Sequence, residues 1–246
     1  MFNFFADKSQ FNNESYFISG SDYNHIVNVL RMHIGDKLLV SFSGKSDLCE
    51  IESTDNETVV AKIIEKDFQN TELPVKIYLF QGLPKSDKME LIIQKTTELG
   101  ISDIIPVEMN RCVVKIEEKK KTAKQARWQA VAESAAKQSK RNYIPEIHSI
   151  VNYRQALEIA NNLDVFLVPY ENEDGMATTK DALKQITLGK SVGIFIGPEG
   201  GFDENEIVLA KENGGLTISL GKRILRTETA AITSVAMCML HTEMNN

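Results

Sequence analysis

Two stretches decide how this chain is read: Ile196-Gly197-Pro198-Glu199-Gly200-Gly201-Phe202 and Leu220-Gly221-Lys222-Arg223-Ile224-Leu225-Arg226. Each follows a short apolar run, 192–196 and 216–220, that reads as a strand. Eight of the 14 glycines fall between 189 and 221, four of them in these two loops. In a parallel sheet, ligands bind beyond the carboxyl ends of the strands, so both loops are expected at one rim. Glycine there permits positive φ and lets a ligand lie against bare backbone. A plainer reading of the first loop is a tight strand-to-helix turn, with Asp203 capping a helix and Glu206 three residues on.

Working outward, strands and helices alternate on both sides of these loops. Residues 75–80, 104–107 and 165–168 read as strands. Residues 87–99 read as a helix with Met89, Ile92, Ile93, Thr96 and Leu99 on one stripe, closed by Gly100. Long helices are expected over 123–141 and 229–240. Such alternation predicts an α/β fold with a parallel sheet covered on both faces. Upstream of residue 70 the texture changes. Runs 37–42, 48–53 and 58–64 are β-rich and separated by turn signals at Gly44-Lys45 and Asp55-Asn56. One helix interrupts them, with Asp22 as its expected N-cap and Ile26, Val29 and Leu30 on one face. The reading is a small β-barrel over 1–72, a polar linker at 67–74, and an α/β domain over 73–246.

Composition sets the outer limits. The chain has 246 residues, 42% hydrophobic and 25% charged, as in ordinary globular proteins. No window of 18 residues is uninterrupted apolar, and the first residues lack the basic start and apolar core of a signal peptide. Three cysteines without a C-x-x-C pair argue for a reducing compartment, the cytoplasm, and against a cysteine zinc site. His25, His33, His148 and His241 are scattered, so no metal is expected. The net charge of −6 and pI of about 5.4 argue, taken alone, against a nucleic-acid partner. The charge is segregated, however. Residues 1–72 carry the whole deficit, while 111–141 hold ten cations against Glu117, Glu118 and Glu133. Lys119-Lys120-Lys121 reads as a solvated helix face. Lys137, Gln138, Ser139, Lys140 and Arg141 mix phosphate-binding and base-reading side chains.

Several nucleotide and hydrolase fingerprints fail. No G-x-G-x-x-G is present. The run from Gly215 to Arg223 imitates a P-loop, but its glycines are one residue too far apart and Arg223 replaces the magnesium-holding Ser/Thr. G-x-S-x-G and H-E-x-x-H are absent too.

The two glycine motifs, the second continuing through Thr227-Glu228-Thr229-Ala230, together resemble the SPOUT class of knotted methyltransferases. Within it the chain resembles the ribosomal RNA small-subunit methyltransferase E family. Lys88-Met89-Glu90 through Gln94-Lys95 and Glu98-Leu99-Gly100 is similar to that family's first helix. Gln138-Ser139 to Arg141 with Pro145 is similar to its central basic motif. His25 through Val29-Leu30-Arg31 with Gly35-Asp36 is similar to the motif of its N-terminal PUA-like barrel. Asn3 stands before Phe4-Phe5 where family members often carry an arginine.

The resemblance implies a trefoil knot in the last three strand–loop units and a cofactor, S-adenosylmethionine, bent among their loops. Val168, Tyr170, Ile196, Gly197, Pro198, Glu199, Gly200, Gly201, Leu220, Gly221, Ile224 and Leu225 would hold it. It implies methylation of uracil N3, at uridine 1498 of 16S ribosomal RNA. That nitrogen reacts only after losing its proton, so a base or a cation stabilising the uracilate is needed. Arg226 is the expected stabiliser, its alternative being a buried ion pair with a nearby glutamate. Glu199 and Glu228 are the expected bases. Arg31, Arg111, Lys137, Gln138, Ser139 and Arg141 are expected at the RNA, with Trp128 more suited to core than to base stacking. The implied partners are the 16S RNA, within the small subunit, and a second copy of the chain. Competing readings are another RNA nucleotide as target, a non-catalytic RNA-binding or assembly factor, and a P-loop-like nucleotidase.

Overall fold

The computed structural model describes residues 1–85, 87–173 and 175–245. It divides into two compact units, Met1–Glu72 with Ala136–Ile144, and Leu73–Ala135 with Pro145–Asn246. The boundary near residue 72 is thus joined by a return of 136–144 to the first unit.

The first unit is built from β1 (Asn3–Phe5), β2 (Ser15–Ser19), α1 (Gly20–Asn24), β3 (Lys37–Phe42), β4 (Lys45–Thr54) and β5 (Thr58–Gln69). The sheet order is β1-β3-β4-β5-β2, with β1 and β3 parallel and the other pairs antiparallel. Register shifts between β4 and β5 curl it around Phe4, Tyr16, Ile18, Leu38, Val40 and Ile51. Two local expectations are corrected. β5 runs on to Gln69, so the first residues of the expected linker are strand. The helix starts after Ser19, which holds the N-cap position without a side-chain capping bond, and after Asn24 it widens into a π-turn, His25–Val29, closed by Leu30 N–H donating to His25 O. A π-turn carries more residues per turn, so a residue three positions on leaves the inner face. Ile26 is buried and Val29 is 63% exposed.

The charge segregation has a structural consequence inside this unit. Arg141 is only 3% exposed, and its Nε donates to Glu72 Oε1 at 2.9 Å. The Asn142 and Tyr143 amides donate to the same oxygen. Asn3 donates through Nδ2 to Arg141 O. Lys137 Nζ lies 2.8 Å from Asp22 Oδ1. An acidic segment has recruited cations from 136–144, because a buried charge must be paired.

The second unit contains β6 (Lys76–Gly82), α2 (Lys88–Glu98), β7 (Asp103–Glu108), α3 (Glu118–Ser139), β8 (Glu146–Ile147), β9 (Val151–Asn152), α4 (Tyr153–Ala160), β10 (Val165–Pro169), α5 (Ala177–Leu183), β11 (Ser191–Ile196), α6 (Glu204–Glu212), β12 (Leu216–Ile218) and α7 (Thr227–Met244). The last residues of α3, from Ala136, belong to the first unit. The sheet is parallel throughout, in the order β12-β10-β11-β6-β7-β8, with β9 also on β7. Alternate strand residues feed two apolar layers. Ile77, Leu79, Leu167 and Ile194 pack with Ile92, Trp128 and Val235 on one face. Phe80, Phe166, Val168 and Phe195 pack with Ala156 and Ile207 on the other, Phe80 stacking on Phe195 at 4.3 Å. Burial on both faces explains why these strands read as unbroken apolar runs. Trp128 is core. Gly100, at φ +93°, ends α2 in a conformation that a side chain disfavours. No helix among the described residues is long and apolar enough to cross a membrane.

The chain leaves β11, crosses to the far side of β10 and returns as β12. The loops after β10, β11 and β12 therefore meet at one carboxyl edge.

Candidate functional site

A cavity of about 850 Å³ opens at that edge. Its wall takes Tyr170 from the loop after β10, Gly197, Pro198, Glu199 and Gly201 from the loop after β11, and the run Ser219–Thr227 from the loop after β12. Ile196, Leu220, Ile224 and Leu225 supply apolar surface there, joined by Met176 and Ala230. Ten of the twelve expected cofactor residues line this cavity. The other two do not. Val168 points into the core, fully buried, because alternate residues of a strand face opposite sides. Gly200 faces Arg111: a Cβ there would lie 3.0 Å from Arg111 Cβ and 3.2 Å from its carbonyl oxygen.

The loop after β11 is held from several directions. Gly201 N–H donates to Pro198 O. Thr227 Oγ1 donates to Gly197 O at 2.7 Å and accepts from Gln81 Nε2 at 3.0 Å. Arg111 Nη1 donates to Gly200 O at 3.2 Å. Glu206 completes a capping box with Asp203 and also accepts from Asn110 N–H, so one buried carboxylate joins this loop to the turn after β7. Gly82 tolerates no side chain, since its Cβ would sit 2.7 Å from Pro198 N. The plainer reading of Asp203 and Glu206 as a cap is correct, and it coexists with a cavity wall.

The loop after β12 is held more lightly. Ser219 is buried and bonded to Thr179 of α5, and its Oγ accepts from Gly221 N–H. Beyond it, Gly221 takes φ +102° and Ile224 is 87% exposed. Arg226 forms the N-terminal boundary of α7, lines the cavity and makes no ion pair among the described residues. The buried-pair alternative for it is therefore not what the fold builds.

Glu199 and Glu228 converge on Lys88, the first residue of α2. Lys88 Nζ is 3.0 Å from Glu199 Oε1 and 3.2 Å from Glu228 Oε2. The Lys85 amide also donates to Glu199. Burial pushes the Glu199 carboxyl up, but the Lys85 amide and the Lys88 ammonium outweigh it and hold the group below its ordinary value. Pairing, with Glu199 first, raises Lys88. A carboxylate so satisfied is a weak proton acceptor, which moves Glu199 from base to clamp. Lys88, Gln81 and Thr227 are the residues that sequence reasoning passed over as site groups. The signal for Lys88 was present: a lysine in a helix's first turn opposes the helix dipole.

The expected RNA contacts are dispersed. Arg31 is exposed with φ +53°, beside the exposed Val29 and Ile34. Arg111 is exposed at the back of the glycine loop, and Gln138 is exposed on α3. Ser139 is half-buried. Arg141 is a correction: buried against Glu72, it offers no solvent-facing guanidinium. Lys137 is half-buried and committed to Asp22. The described residues also group Asp103, Glu146 and His148, three side chains of metal-ligating type, at the opposite, amino ends of β7 and β8. There His148 bonds Asp103 at 2.8 Å, which raises the imidazole above its ordinary value.

This architecture is shared. The profile of the RNA methyltransferase domain matches residues 71–239, and that of the RNA methyltransferase PUA domain matches 18–64. Ribosomal RNA small subunit methyltransferase E of Bacillus subtilis is 39% identical over 234 residues, covering 94% of this chain and 91% of its own. The protein of that name from Mesomycoplasma hyopneumoniae is 34% identical, covering 97% and 99%. The crystal structure of a ribosomal RNA small subunit methyltransferase E from Neisseria gonorrhoeae, bound to S-adenosyl methionine, superposes with a TM-score of 0.80 at 30% identity, covering 96% of each chain. A PUA-like first unit and a parallel α/β second unit thus recur across whole chains, and this chain belongs to the ribosomal RNA small subunit methyltransferase E family.

Proposed function

We propose that the chain methylates N3 of a uridine in 16S ribosomal RNA, at position 1498, with S-adenosylmethionine as methyl donor. The observation that carries this reading is Arg226, without an ion pair among the described residues, in the wall of a cavity formed by two glycine loops. The cavity suits the cofactor. Its volume falls in the range of small-molecule sites. Bare backbone at Gly197, Gly201 and Gly221 lets a ligand approach the loops closely, and Ile196, Leu220 and Leu225 give apolar surface for an adenine ring. The failed P-loop comparison is consistent with a ligand that lacks phosphate. When bound, the cofactor supplies an activated methyl group on a sulfonium.

The residues of the chain then have three tasks. The two loops align the donor with the base and exclude water. Arg226 stabilises negative charge on the uracil oxygens as the N3 proton leaves. Glu199, already bonded to Lys85 and Lys88, holds the loop, and Glu228 remains the candidate acceptor for the proton. The target uridine must be unpaired or flipped to reach a cavity at a sheet edge. Arg111, exposed beside the glycine loop of the second unit, is the cation best suited to hold a flanking phosphate, and Arg31 offers the first unit a separate RNA contact. The last three strand–loop units follow the knotted crossing of the family, two copies of the chain associate, and the reaction takes place in the cytoplasm.

The test is methylation of small subunits and of naked RNA, with the product mapped by mass spectrometry. N3-methyluridine is the expected product, and a different modified nucleotide would reject the target. Titration with S-adenosylmethionine separates the non-catalytic alternative, which predicts no binding.

A further inference from the structure

Lys88 is placed against local preference. It opens α2, where the helix dipole disfavours a cation. Its side chain is 28% exposed, so it has left much of its hydration. It faces two carboxylates remote in sequence, one in the loop after β11 and one in the first turn of α7. Glu199 has a second donor in the Lys85 amide. Glu228 Oε2 is buried, with the Lys88 ammonium 3.2 Å away. Arg226 stands two residues before Glu228 and lines the same cavity as Glu199 and Lys88. A guanidinium that shares a cavity wall with a carboxylate is a ready partner for it unless that carboxylate is already engaged.

We propose that Lys88 is a positioning residue that keeps Arg226 available: its ammonium occupies Glu199 and Glu228 together, so that neither carboxylate captures the guanidinium before the RNA does. The inference rests on the reading of Arg226 as the group facing the target base. Lys88 needs to touch neither substrate nor cofactor for this. Its raised pKa keeps it charged throughout the neutral range, so the clamp does not loosen at working pH.

The experiment measures kcat for methylation of ribosomal RNA, and S-adenosylmethionine affinity by calorimetry, in Arg226→Ala, Lys88→Gln, Lys88→Arg and the double variant Lys88→Gln/Glu199→Gln. Lys88→Gln is expected to lower kcat about 10- to 100-fold with affinity within about threefold. Lys88→Arg should retain most of the rate. Removing the freed carboxylate in the double variant should recover most of the loss, a rescue that a merely structural lysine would not produce. The proposal is overturned if Lys88→Gln keeps its full rate, if the folded double variant is no faster than the single one, or if cofactor affinity collapses. Should Lys88→Gln not fold, a tenfold loss in well-folded Lys88→Arg would overturn it equally. Full activity in Arg226→Ala would instead remove the underlying reading of Arg226, which keeps the two failures distinct.

Discussion

The two glycine loops look alike in sequence and behave differently in the fold. The loop after β11 is bonded to α2, α6, α7 and the turn after β7, and lies close against Gly82 at the end of β6. The loop after β12 has one buried anchor, Ser219, and then a run of exposed residues ending at Arg226. A cavity built from one fixed and one lightly held wall combines a defined floor with a side that can adjust to its ligand. Loops with few buried contacts and exposed backbone open at low free-energy cost. On the proposed reading, the fixed wall sets geometry and the light wall presents Arg226 to the target base.

Four measurements test this division. The largest effect is expected at the end of the light wall: Arg226→Ala should lower kcat about 10²- to 10³-fold, as for loss of a preorganised charge-stabilising group, with cofactor affinity nearly unchanged. A collapse of affinity would place Arg226 at the cofactor instead. Next, Thr227→Val strips the fixed wall of a bond by leaving Gly197 O without its donor. A stability loss of about 1–3 kcal/mol is expected from denaturant titration, and a neutral result would show that the wall is held elsewhere. Ile224→Ala should do the reverse. With the side chain 87% exposed, stability should change by no more than about 0.5 kcal/mol. Cofactor affinity should fall roughly tenfold if the ring is covered on binding; equal affinity would mean that this wall does not close. The smallest effect concerns Glu199. Its folded pKa lies below the ordinary 4.5, so its contribution to stability is present above pH 4.5 and fades as pH falls through the lower folded value. The difference in melting temperature between wild type and Glu199→Gln should therefore shrink from pH 6 to pH 3. A constant difference would remove Glu199 from the clamp.

The site was largely legible because glycine is informative where a loop follows an apolar run. Gly197, Gly201, Gly221 and their apolar neighbours fell where local pattern put them. The α/β alternation was equally readable, since two-sided burial leaves continuous apolar strands. Short elements were not: β8 and β9 have two residues each, too few for any periodicity. The π-turn at His25–Val29 was missed because a helical stripe assumes the usual period. Lys88 was quoted as part of a motif, but its partners lie 111 and 140 positions away in sequence.

The basic stretch 111–141 shows most clearly where sequence ends and tertiary structure begins. By itself the sequence determined the segregation of charge, the two glycine loops and the family. It put Arg111 and Arg141 in one class, as cations of one patch. Only the fold separated them: Arg111 remains exposed beside Gly200, while Arg141 is buried against Glu72. The reason is physical. A net charge of −6 over the first 72 residues demands counter-charges wherever carboxylates are removed from water, and chain connectivity brought residues 136–144 within reach. Charge along a sequence is a sum, whereas charge available to a partner is what remains after the fold has paired its own.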